Sequence, residues 1–124
     1  MPKKLIPTEA QEQTMLIEWA EMMQGRYPEL ALLFHIPNEG RRSYQYGREL
    51  KRQGLKKGVP DLCLPVARGM YHGLFIEMKS QVGRPSGEQL VWIDALRNEG
   101  YAATVCHGWR EAAQFIEDYL KRNH

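Results

Sequence analysis

Gly58-Val59-Pro60-Asp61-Leu62-Cys63-Leu64 and Gly73-Leu74-Phe75-Ile76-Glu77-Met78-Lys79 are two apolar runs of strand length, and each carries ionisable side chains. An ionisable group in such a run costs free energy unless it has partners, and function is the usual reason for tolerating that cost. Between the runs lies Ala67-Arg68-Gly69-Met70, with Gly69 at a hairpin turn, so antiparallel pairing is expected. A turn centred on Gly69 pairs residues whose numbers add to about 138, which sets Asp61 across from Glu77. Side chains alternate along a strand, so Glu77 and Lys79 share a face and Met78 takes the other. Three charged groups then converge on one patch. Two carboxylates forced together repel, and in a half-buried site they share a proton or hold a cation. Their oxygens are hard ligands, which favours Mg²⁺ or Mn²⁺.

The segment just before this hairpin is basic. The 124 residues carry a net charge of only +2, but it is unevenly spread. Residues 1–40 hold three basic and six acidic groups, residues 41–57 seven and one, and residues 58–124 seven and eight. Arg41, Arg42, Arg48, Lys51, Arg52, Lys56 and Lys57 thus make one cationic surface beside an acidic site, a combination suited to a polyphosphate backbone. A charge run is otherwise a solvated helix face; here the single sign and the interleaved Tyr44 and Tyr46 favour nucleic acid equally.

Further out, Thr8 with Gln11 forms a capping box, and Met15, Leu16, Trp19, Ala20, Met22 and Met23 recur at helical spacing, which predicts a helix over 8–24. Glu9, Gln13 and Leu16 lie along one side of it. Glu12 is the rival acidic residue, and for either glutamate the plain reading is a dipole-stabilised surface group. Leu30–Ile36 reads as a strand closed by Pro37-Asn38-Glu39-Gly40, and its His35 as a satisfied core or edge histidine without a zinc partner. Ser43 caps a second helix to about Gln53, ended by Gly54. After the hairpin, Ser86 with Gln89 makes another capping box for a helix stopped at Gly100. Gln89 either completes that cap or faces the Glu77/Lys79 patch. Tyr101–Cys106 is the last strand, and Trp109, Ala112, Ala113, Ile116, Tyr119 and Leu120 define a closing helix.

The resulting order is α-β-α-β-β-α-β-α, an α/β or α+β fold with a small mixed sheet flanked by helices, in one domain over 1–124. Charged residues at 26% and hydrophobic at 43% are ordinary for a globular chain. Cys63 and Cys106 fall in core strands and read as reduced packing residues. No run approaches a membrane span and no apolar leader follows Met1-Pro2-Lys3-Lys4, so an intracellular, cytoplasmic protein without membrane contact is expected.

Pro60-Asp61 with Glu77-Met78-Lys79 resembles the signature of the PD-(D/E)xK nuclease superfamily, which has a restriction-endonuclease-like fold. Glu9-x-x-x-Gln13, Asn38-Glu39-Gly40, Gly58-Val59-Pro60-Asp61-Leu62, Glu77-x-Lys79 and Gln89-x-x-Trp92 are similar to its VRR-NUC branch, particularly short stand-alone members from phages and bacteria. The resemblance runs from about Glu9 to Trp109. It implies that Asp61 and Glu77 bind a divalent ion with the backbone carbonyl of Met78, and that Glu9 completes the cluster directly or through water. It further implies that Lys79 holds or activates the attacking water, and that Gln13 and Gln89 support the site. Homodimers acting on branched DNA such as four-way (Holliday) junctions are implied as well.

Phosphodiester hydrolysis needs a hydroxide near neutral pH and neutralisation of transition-state charge, both of which a carboxylate-held metal supplies. Lys79 acts either as a base or through its charge. The leading expectation is a Mg²⁺- or Mn²⁺-dependent, structure-specific endonuclease. The alternatives are the same fold acting on linear duplex, flaps or RNA, a non-catalytic nucleic-acid-binding module, and an ion-paired cluster with a purely structural role.

Overall fold

The computed structural model describes residues 5–37 and 44–124. Its first helix, α1 (Glu9–Met22), begins where the capping box requires: the Gln11 amide donates to the Thr8 hydroxyl, and the Thr8 amide donates to the Gln11 side chain. A 3-10 turn at Met23–Gly25 ends it. The remaining elements are β1 (Phe34–His35), α2 (Tyr44–Arg52), β2 (Leu62–Leu64), β3 (Leu74–Lys79), α3 (Gly87–Asn98), β4 (Ala102–His107) and α4 (Trp109–Leu120). This is the order expected from the sequence. The turn at Asn38-Glu39-Gly40, the Ser43 cap, and Arg41 and Arg42 lie outside the described residues.

One element is shorter than its pattern implies. Pro28–Leu32 is a 3-10 helix, and only Phe34 and His35 are paired as strand. Pro28 pre-sets φ for a helical first turn, and buried Leu30 and half-buried Leu33 stand three residues apart, the spacing that aligns side chains in a 3-10 turn. A strand would have turned those two leucines to opposite faces.

The sheet runs β1-β2-β3-β4, with the first two pairings antiparallel and β3–β4 parallel. Leu62 lies opposite Ile76, Cys63 opposite Phe75 and Leu64 opposite Leu74, the register expected from a turn at Gly69. The turn itself is closed by paired hydrogen bonds between Arg68 and Tyr71, with Gly69 at φ +55°. Leu62, Leu64, Leu74, Ile76 and Met78 form the core with Leu16 and Ala20 of α1 and Ala112, Ala113, Ile116, Tyr119 and Leu120 of α4. Burial of these side chains supplies the main favourable term. α3 packs on β4, and its buried Ile93 stands apart from that cluster. Both cysteines are buried and free, in β2 and β4. Among the described residues no helix is long and apolar enough to cross a membrane.

Candidate metal centre and nucleic-acid surface

Asp61 immediately precedes β2 and Lys79 ends β3, so the antiparallel hairpin brings both to one end of the sheet. Alternation along β3 sends Leu74, Ile76 and Met78 into the core and leaves Glu77 and Lys79 on the other face. Asp61 is 2% exposed, and its Oδ2 accepts the Met78 amide at 2.7 Å. Glu77 is 1% exposed, yet among the described residues neither of its oxygens has a hydrogen-bond partner. The Lys79 Nζ lies 3.7 Å from Glu77 Oε2 and 3.6 Å from Glu9 Oε2. Glu9 reaches the site from the first turn of α1. One oxygen each from Glu9, Asp61 and Glu77 lie within 4.8 Å of one another.

The electrostatics follow from this crowding. Burial pushes the Glu77 carboxyl from 4.5 up to about 9; the neighbouring Asp61 adds to the shift and Lys79 works against it. Burial also raises Glu9, opposed by Lys79 and reinforced by Asp61. At about 9, the Glu77 carboxyl keeps its proton at neutral pH until a cation takes its place. The donor set is all hard oxygen, as Mg²⁺ or Mn²⁺ requires. With one oxygen of each within 4.8 Å of the others, the three carboxyls could together hold one such ion.

Glu9 and Glu12 stand in different surroundings, and Glu9 is the one beside Asp61 and Glu77. Glu12 is 1% exposed and its oxygens are engaged elsewhere: Oε1 accepts the Trp109 amide at 3.1 Å and Oε2 the Gln81 side chain at 3.4 Å. It is neither a surface residue nor a member of the carboxyl cluster. The sequence shows only that α4, beginning after Gly108, has no capping side chain at its N-cap; it does not point to Glu12 as the partner.

Gln13 and Gln89 stand differently. Gln13 Nε2 is 3.1 Å from Nδ1 of His35, which is 2.9 Å from the Asp61 carbonyl, so Gln13 touches the site through His35. His35 is thus the satisfied edge histidine anticipated, and it braces the backbone of Asp61. Gln89 closes the α3 capping box with Ser86. Trp92, one turn on, donates to the Lys57 carbonyl at 3.1 Å. Gly58, at φ +93°, sits so close to α3 that a Cβ would come within 2.8 Å of the Glu88 carbonyl. The start of α3 therefore clamps the Gly58–Asp61 turn from behind.

On the surface, Arg48, Lys51 and Arg52 are exposed on α2, and Lys56 and Lys57 are exposed just after it. Arg52 pairs with Glu49 and Lys57 with Glu88, each at 3.4 Å. Exposed pairs of this kind are worth under about 1 kcal/mol, so a phosphate can displace them.

Known proteins resemble this chain. The chain matches the model of the VRR-NUC domain over residues 7–110. Among solved structures it is similar to a VRR_NUC domain protein, at 33% identity and a TM-score of 0.80, over 94% of this chain and 91% of that one. No curated protein matches it. Matched over most of its length by family model and structure alike, the chain belongs to the VRR-NUC domain family, a family of nuclease domains.

Proposed function

We propose that residues 1–124 form a single divalent-metal-dependent endonuclease domain that hydrolyses phosphodiester bonds in branched DNA, four-way junctions included, and that works as a homodimer. The carrying observation is Glu77: a carboxyl 1% exposed, without hydrogen-bond partners among the described residues, held beside two further carboxyls and a lysine. A structural ion-paired cluster would satisfy those oxygens internally. Here, among the described residues, neither oxygen accepts a hydrogen bond, and the Lys79 ammonium stands 3.7 Å from Oε2.

In this reading Asp61, Glu77 and the Met78 carbonyl hold Mg²⁺ or Mn²⁺, with Glu9 completing the set. The bound ion lowers the pKa of water and neutralises charge on the phosphate. The Met78 amide fixes Asp61 by its Oδ2, and His35 steadies the Asp61 backbone. Lys79, ion-paired with Glu9 and Glu77, acts through its charge, orienting a water or a phosphate oxygen with its ammonium hydrogens. The cationic surface from α2 to Lys57 tracks the phosphate backbone beside the site.

The test is a cleavage panel of four-way junction, flap, linear duplex, single strand and RNA, with and without Mg²⁺ or Mn²⁺. Preferential cutting of the junction that requires the ion supports the reading; equal cutting of linear duplex reassigns the substrate. Absence of cleavage on every substrate, with binding retained, would leave a nucleic-acid-binding module.

A further inference from the structure

We propose that Glu12 is a positioning residue for the acidic cluster: its buried carboxyl fastens α1 to the β4–α4 turn, and this sets how Glu9, one turn earlier, stands over Asp61, Glu77 and Lys79. The inference rests on the metal-site reading above. Glu12 is a fully buried ionisable group to which that chemistry assigns no task. Removing it from water is costly unless its oxygens are met, and both are met by groups far along the chain.

Gly108 is the junction. As the residue before α4 it has no side chain to cap the helix, and at φ +90° it leaves the Trp109 amide facing α1. Glu12 Oε1 accepts that amide at 3.1 Å, supplying across space the cap that α4 lacks and placing a carboxyl at the positive end of the helix. A Cβ on Gly108 would lie 3.3 Å from Glu12 Oε2, so the contact is tight. On its other side the Gly108 amide donates to the Lys79 carbonyl at 2.9 Å. Lys79, Gly108 and Glu12 therefore form one continuous connection from the end of β3 to α1. Glu9 and Glu12 are three apart on the same helix, neighbours on its surface. A shift of α1 at Glu12 is thus transmitted to the Glu9 carboxyl.

The experiment is Mn²⁺ titration calorimetry on the full chain, paired with thermal melts without metal. Glu12→Ala is expected to weaken Mn²⁺ binding about tenfold or more, the usual effect of removing a group that orients metal ligands. Glu12→Asp, one methylene shorter but still acidic, is expected to fold and to weaken binding too, and carries the test if the alanine variant does not fold. Tyr119→Phe is the control. It removes the 2.6 Å bond to the Val66 carbonyl, remote from the cluster, and is expected to lower the melting midpoint while leaving Mn²⁺ affinity unchanged. Affinity equal to wild type in the folded Glu12 variants, or an equal loss in Tyr119→Phe, overturns the proposal. A wild-type chain that takes up no Mn²⁺ removes the metal reading and this inference with it.

Discussion

Glu77 has a folded-state pKa raised from 4.5 to about 9, mainly by desolvation. Between those values the folded chain holds a proton that the unfolded chain has released, so stability falls as pH rises through this window. Metal-free thermal midpoints are expected to decline from about pH 5 toward pH 9, and saturating Mn²⁺ to abolish the decline, because the ion replaces the proton. A flat metal-free profile would contradict the burial argument. For Lys79→Met the expected result is a loss of about 10²-fold or more in cleavage rate with Mn²⁺ binding retained, measured by kinetics and calorimetry on one preparation. Some of this was legible in the residues alone: charged side chains in apolar runs mark the site, and alternation puts Glu77 and Lys79 together. Glu12 was not, because its partner amide lies 97 residues away.

The hairpin, α2 and α3 divide the work among elements. Gly69 and two apolar runs of matched length fix the register of β2 and β3, which is why that pairing could be reasoned from sequence. Leu30–Ile36 could not be, since its composition suits a strand while the Leu30–Leu33 spacing and Pro28 favour a 3-10 turn. α3 matters through its first turns: Glu88 and Trp92 press on Gly58. Gly58→Ala is expected to cost at least about 1–2 kcal/mol from positive φ alone, read as a lower denaturation midpoint, with cleavage impaired because Asp61 is three residues on. α2 contributes charge. Reversing Lys51 and Arg52 to Glu is expected to weaken DNA binding and to reduce the salt dependence of log K by about two; an unchanged slope would make α2 a solvated face only.

Across the whole molecule, the two ends of the sheet serve different ends. At one, Arg68 joins Glu29, the Leu120 carbonyl and His124, tying hairpin turn, 3-10 helix and C-terminal residues together. At the other, Glu9, Asp61, Glu77 and Lys79 meet, and among the described residues neither Glu77 oxygen has a hydrogen-bond partner. A buried carboxyl whose oxygens receive no hydrogen bond calls for an explanation, and a bound cation supplies one. The most direct measurement is cleavage of a labelled four-way junction by wild type and Glu77→Gln, with and without Mg²⁺ or Mn²⁺. Gln is neutral and nearly isosteric, so the variant is expected to fold at least as stably in the absence of metal. Ion-dependent cleavage by wild type and none by the variant is the expected result; cleavage without the ion, or undiminished in Glu77→Gln, would contradict the metal centre.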